Sequence, residues 1–373
     1  YVPKDTSKTY PILFSRTPYS CAPYGVDNYR EVLGPAPGIY AKEGFIFAYQ
    51  DVRGRYQSEG EYMHVRPYIP KKQGKQIDEA SDTYDSIEWL IRHVQPNNGK
   101  VGLYGISYPG FYTVMGAIDA HPALAAASPQ APVSDWFMGD DWHHNGAFLL
   151  QHAFRFLANF GEPRTAPSTK AAPDFDFGSA DGYRFYLRMG GMPEANAKYF
   201  KSGIPFWNEM MEQESYNAFW KARNVNPHLN ALRVPMLTAG GWFDAENLYG
   251  ALEVYRSAEK LSPGAWNKLV MGPWYHGQWS RDDGESLGDV AFGQKTSLYY
   301  RTEIEFPFFM HFLKGAADPE LPEASLFETG TNRWRRFDRW PPADAQTRRL
   351  YFQPSGRLSF DAPSTAGKEF DEY

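Results

Sequence analysis

Several things are scarce in this 373-residue chain, and each absence removes a class of protein. With a single cysteine, Cys21, no internal disulfide can form, which excludes a disulfide-stapled scaffold and leaves the redox compartment open. No run of 18 or more apolar residues occurs, so a helical membrane span is not expected. Positive charge is not in excess: the formal net charge is −6, which argues against nucleic acid or an anionic membrane as partner. None of the nine histidines shows metal-ligand spacing with cysteine or glutamate, so neither a metal nor a cofactor is expected. An initiator methionine is also missing from Tyr1-Val2-Pro3, which reads as a processed product or a fragment.

Aromatic residues are abundant, at 17%, and many lie between Trp136 and Trp220. They read as the packing of a helical insertion, as a pocket for an aromatic group, or as both. On either side of that stretch the pattern is α/β. Pro11–Ser15 and Phe45–Tyr49 are short apolar strands, and Ser81–Val94 carries Ile87, Leu90, Ile91 and Val94 on one helical face. A Pro-Asn-Asn-Gly turn is expected before a strand at Lys100–Tyr104, and a further strand at Leu124–Ala131. From Asp135 to about Asn226 the strand signal disappears and helical stretches such as Phe148–Phe160 take over. This is either a cap or a separate helical domain. Strands resume at Val234–Ala239 and Asn267–Gly272, with helices at Leu248–Leu261 and Thr302–Leu313. After Ala324 short strands and turns suggest an all-β module cut off before completion.

Gly105-Ile106-Ser107-Tyr108-Pro109-Gly110 stands between a strand and a helix. A serine on such a turn has the placement of a nucleophile elbow, where strain exposes the hydroxyl and the following helix N-terminus stabilises negative charge. Pro109 stands where the general pattern has glycine, and proline is tolerated in a first helical turn. The turn alone would equally suit an ordinary strand-to-helix junction. A serine hydroxyl needs a histidine to take its proton and a carboxylate to orient that histidine. Ser107, Asp244 and His276 follow the chain order nucleophile, acid, histidine, each directly after a strand. Taken singly, Asp244 would serve as a helix N-cap and His276 as a loop histidine. The backbone N–H of Tyr108 is the expected first oxyanion donor. Tyr19, on the loop after an early strand, offers a second through its phenol, though an ordinary exposed tyrosine fits as well.

Together, Arg16-Thr17-Pro18-Tyr19, Gln50-Asp51-Val52-Arg53-Gly54-Arg55, Gly105-Ile106-Ser107-Tyr108, Met138-Gly139-Asp140-Asp141-Trp142, Trp242-Phe243-Asp244-Ala245-Glu246 and Met271-Gly272-Pro273-Trp274-Tyr275-His276 resemble the α-amino acid ester hydrolases. These belong with the X-prolyl dipeptidyl-peptidases, cocaine esterase and glutaryl cephalosporin acylases. The resemblance implies an α/β-hydrolase fold over 1–134 and 229–318, a helical cap over 135–228, and the start of a C-terminal jelly roll over 319–373. It implies a serine acyl hydrolase or acyltransferase, with Ser107 as nucleophile, Asp244 and His276 as its partners, and Tyr19 and Tyr108 at the oxyanion. The substrate implied is a small-molecule ester or amide of an α-amino acid, β-lactam side chains included. Asp141 and Glu246 fall on positions that hold the substrate ammonium, while Asn247 replaces a third carboxylate and removes one negative charge. At about 4 Å in a partly screened site that charge is worth up to about 4 kcal/mol before desolvation. A sister acylase, a general esterase and a non-catalytic binding protein are the alternatives. Export from the cytoplasm and a homo-oligomer are further expectations from the resemblance alone.

Overall fold

The computed structural model describes residues 1–363. Its framework is an eight-stranded sheet in the order Ile46–Asp51, Tyr10–Thr17, Asn97–Ile106, Leu124–Gln130, Met236–Gly241, Asn267–Gly272, Ala324–Glu328, Arg333–Phe337. Every neighbouring pair is parallel except the last. Central strands of such a sheet are covered on both faces and therefore read as continuous apolar runs rather than alternating ones. Met236–Gly241 is buried at every position, and so are Tyr10–Phe14. This is the α/β-hydrolase architecture expected from the sequence.

Helices cover both faces. The helix Glu79–His93 starts at a reciprocal cap: the Asp78 carboxylate accepts from Ser81 N at 2.9 Å and Asp78 N donates to Ser81 Oγ at 3.0 Å. Such caps satisfy donors that the first turn cannot pair internally. Ile87 and Leu90 of this helix are buried, as the 3.6-residue period requires. The Pro-Asn-Asn-Gly segment, expected as a turn, enters the strand at Asn97, opposite Tyr10, with a register shift before Ile12 meets Val101. No helix among the described residues is long and apolar enough to cross a membrane.

The insertion between Leu124–Gln130 and Met236–Gly241 carries helices Leu150–Phe160, Gly182–Met189, Pro205–Met211 and Ala218–Arg223. A two-residue hairpin, His143–His144 with Ala147–Phe148, precedes them. Most of its aromatic residues are spent on packing. Trp136 and Trp142 stack at 4.0 Å, and Trp142, Trp207 and Trp220 are fully buried.

Past residue 318 the sheet continues. Ala324–Glu328 pairs with Asn267–Gly272 in parallel register, and Arg333–Phe337 returns antiparallel beside it. The strands expected to open a separate β module at 319 therefore extend the central sheet instead. Their outer partner could not be read from strand propensity, since edge and module strands look alike locally. Among the described residues past 318, the hairpin Tyr351–Gln353 with Arg357–Ser359 is the part that pairs apart from the sheet. Residues 364–373 of the expected 319–373 module lie outside the described residues.

Candidate active site

Parallel strands with crossover helices all finish at one edge of the sheet, and ligands bind beyond that edge, near the point where strand order reverses. The chain starts at Tyr10–Thr17, adds Ile46–Asp51 on one side and Asn97–Ile106 on the other, so the reversal lies between the strands that lead to Tyr19 and Ser107. Their register aligns Phe14 with Leu103, which places residues four or five further on side by side. Likewise Gly241 is opposite Gly272, and the turns that follow carry Asp244 and His276.

Ser107 has φ 69° and ψ −125°, a conformation few non-glycine residues adopt, and its N–H donates to Gln130 O at 2.9 Å. The turn closes this tightly because Gly105 and Gly110, which flank it, have no side chains. A Cβ on Gly105 would lie 2.4 Å from Pro109, and one on Gly110 would lie 2.7 Å from Gln130 O. Tyr108 and Pro109 open the helix Tyr108–Ile118, so the Tyr108 N–H has no partner within the helix. The Tyr108 ring turns inward, and its hydroxyl accepts from Val65 N at 2.6 Å.

Tyr19 presents 41% of its surface to solvent, and Ser107, Asp141 and Glu246 are among the groups that act on its phenol. Burial, with Asp141 and Glu246 nearby, holds the phenol far above its ordinary pKa, so it stays a neutral donor. The Tyr19 loop is fixed by the Gln50–Arg55 segment. Arg55 Nε donates to Pro18 O at 3.2 Å, and Asp51 accepts from Cys21 N at 2.8 Å and Tyr24 Oη at 2.7 Å.

Asp244 Oδ2 lies 2.8 Å from His276 Nδ1, and the Asp244 side chain is fully buried. Its other oxygen accepts from Glu246 N at 2.8 Å and Asn247 N at 2.9 Å, so one carboxylate orients the imidazole and shapes the following turn. Burial alone would lower the His276 pKa. The hydrogen bond and charge of Asp244, with Glu246 and Asp141 behind it, outweigh burial and raise it. Glu246 Oε2 lies 3.5 Å from His276 Nε2, the ring nitrogen that Asp244 leaves free. Burial, and next the Asp141 charge, raise the Glu246 pKa against the two nearby histidines.

Asp141 is buried, with φ 51°. Its Oδ2 accepts from Trp136 Nε1 and Asn247 Nδ2, both at 2.9 Å, and its backbone N–H donates to Glu246 O at 2.9 Å. Asp140 beside it is wholly buried and accepts from Ser134 N, Ser134 Oγ, Asp135 N and Gly250 N, tying the start of the insertion to the helix Leu248–Leu261. Burial pushes its pKa up to about 7. Asn247 is fully buried; its Nδ2 donates to Asp141 and Asp140, while its Oδ1 has no hydrogen-bond partner.

One residue escaped the sequence reading. His152, on the insertion helix Leu150–Phe160, has Nε2 at 3.4 Å from Asp141 Oδ1. Asp141, His152 and Glu246 each offer an atom within 4.8 Å of the others, a cluster suited to a cation. The signal was present as a stripe: His152, Phe156 and Phe160 recur at four-residue spacing, hence on one helical face. Phe156 and Phe160 pack on Tyr19 at 6.4 and 5.3 Å between ring centres, while Phe154 and Leu157 turn to the insertion's own core.

At the C-terminal edge of this α/β-hydrolase sheet the chain thus gathers an elbow serine, an Asp–His pair and a tyrosine. The chain belongs to the X-Pro dipeptidyl-peptidase (S15) family, whose sequence pattern matches residues 1–278. An aminopeptidase from a marine sediment Thaumarchaeota archaeon superposes with a TM-score of 0.88 at 36% identity, over 100% of this chain and 61% of that one. An α-amino acid ester hydrolase superposes with a TM-score of 0.89 at 32% identity, again over 100% and 61%. The cocaine esterase of Rhodococcus sp. (strain MB1 Bresler) is 23% identical over 327 residues, which are 85% of this chain and 53% of the esterase. The chain thus spans between half and two thirds of these relatives.

Proposed function

We propose that the protein is a serine acyl hydrolase that cleaves esters or amides of α-amino acids through an acyl-enzyme. In this reading His276 Nε2 accepts the Ser107 proton as the hydroxyl attacks the carbonyl. Asp244 holds the imidazole by Nδ1 and stabilises the imidazolium that forms. The Tyr19 hydroxyl and the Tyr108 N–H receive the oxyanion. His276 then protonates the leaving group, and water or an acceptor amine releases the acyl group from Ser107. Substrates with an aromatic acyl side chain, β-lactam antibiotics among them, would rest against Phe156 and Phe160.

The observation that carries the amino-acyl specificity is the position of Asp141 and Glu246. One Glu246 oxygen is 3.5 Å from the free nitrogen of His276, so the anionic pair borders the place where the carbon next to the scissile carbonyl must sit. An ammonium on that carbon would meet two carboxylates. The aminopeptidase and the α-amino acid ester hydrolase that share this fold at 36% and 32% identity favour the same class by name. Asn247 standing in for a third carboxylate, and spent on Asp141, favours the second reading: a general esterase that tolerates an α-amine without demanding it.

The test compares kcat/KM for phenylglycine methyl ester with that for phenylacetic acid methyl ester on the intact protein. The ammonium subsite predicts a preference of about tenfold or more for the amine, about 1.4 kcal/mol. Equal rates would leave the general esterase. Residual esterase activity in Ser107→Ala would remove the acyl-enzyme mechanism altogether.

A further inference from the structure

The subsite proposed for the ammonium already holds a base. We propose that His152 is a specificity-determining residue, an internal cation that competes with the α-ammonium of the substrate for Asp141. The inference rests on the amino-acyl reading above and concerns how that subsite sets its selectivity.

The geometry leaves His152 little else to do. Asp141 Oδ2 is occupied by Trp136 Nε1 and Asn247 Nδ2, so Oδ1 is the oxygen with capacity left for a ligand. That oxygen is the one His152 Nε2 approaches, at 3.4 Å. Asp141 is itself held by its backbone bond to Glu246 and by its positive φ, so it cannot turn to serve both cations. His152 is anchored on a helix whose opposite face is buried, and its side chain stays one-third exposed, open to a ligand entering the site.

Three charged groups surround the imidazole: Asp141 from the start of the insertion, Glu246 from the turn after Met236–Gly241, and His276 from the turn after Asn267–Gly272. Burial works against the charged ring, as does His276, but the Asp141 hydrogen bond and the two carboxylates prevail and raise its pKa. At acid pH the protonated ring therefore sits on Asp141. As pH rises through the titration of His152 the proton leaves and Asp141 becomes free for the substrate. Affinity for an ammonium is multiplied by the fraction of protein in the free state, so it falls up to tenfold per pH unit below the His152 pKa. An uncharged substrate does not experience this competition.

The experiment measures kcat/KM for phenylglycine methyl ester and phenylacetic acid methyl ester between about pH 5.5 and 7, where the amine, with a pKa near 7.7, stays charged. Protonation of His276 lowers both rates and cancels in their ratio. In the wild-type protein the amino-to-des-amino ratio should rise with pH. In His152→Asn and His152→Gln it should be at least about threefold higher at pH 5.5, with a shallower slope. The slope that remains reports Glu246. The change should lie in KM, and phenylglycinol, an ammonium without an acyl group, should inhibit the variants at lower concentration. A ratio and slope in both variants equal to wild type, with inhibition unchanged, would overturn the role of His152 while leaving the ammonium subsite. Absence of any amine preference in the wild type at every pH would overturn both.

Discussion

Replacing Asp244 by asparagine tests the proposed chemistry most sharply, because the structure separates the two tasks of this carboxylate. One oxygen accepts from the backbone N–H groups of Glu246 and Asn247, and an asparagine oxygen can do the same. The other lies 2.8 Å from His276 Nδ1, and there the asparagine amide presents N–H instead. His276 must then accept at Nδ1 and carry its proton on Nε2, where it cannot act as base toward Ser107. The wrong tautomer in a serine protease lowers kcat by about 10⁴, about 5.5 kcal/mol, and the same arithmetic applies to this geometry. Since the turn is preserved, the fold and the binding of phenylglycinol should be unchanged. Asp244→Ala removes both tasks, so it should lose activity and also weaken phenylglycinol binding as Glu246 and Asn247 shift. Steady-state kinetics, competitive inhibition and thermal unfolding of the two variants make the comparison. Activity in Asp244→Asn within tenfold of wild type would refute the argument.

Three other outcomes follow from the same geometry. Tyr19→Phe should cut kcat about 10²- to 10³-fold with little change in KM for the des-amino ester, because the lost hydrogen bond is made mainly to the developing oxyanion. The acid limb of kcat/KM should lie above an imidazole's ordinary pKa of about 6.5, since the His276 pKa is raised and only the neutral ring can act as base; activity falls as pH drops through it. In Asp244→Asn that limb should move to lower pH. Gly250→Ala should destabilise the fold by at least about 1–3 kcal/mol in denaturant titration, because its Cβ would stand 1.8 Å from Pro132 O and displace the N–H that Asp140 accepts.

Much of this protein is written in local sequence, and what is local was legible. A strand run ending in Gly105-Ile106-Ser107, with glycines where the turn closes, specifies the elbow because both the strain and its relief lie within six residues. Asp244 and His276 were legible for a related reason: each directly follows an apolar strand, and parallel strands end at one edge whatever their order in the sheet. The helix at Leu248–Leu261 and the strand at Asn267–Gly272 fall at the positions their periodicity indicates. Where partners come from distant segments, the sequence stayed silent. The strands Ala324–Glu328 and Arg333–Phe337 carry the same propensity whether they extend the central sheet or open a module, and only hydrogen-bonded register decides between them. Asn247 matched a substrate-binding position by alignment of motifs, but its burial behind two aspartates depends on how the insertion docks on the helix that follows it. His152 is the clearest case. Its place on one helical face with Phe156 and Phe160 was legible, but nothing near it in sequence pointed to Asp141 as its partner. Its meeting with Asp141 is set by the direction in which one helix crosses the site, a relation between elements that no local pattern of side chains encodes.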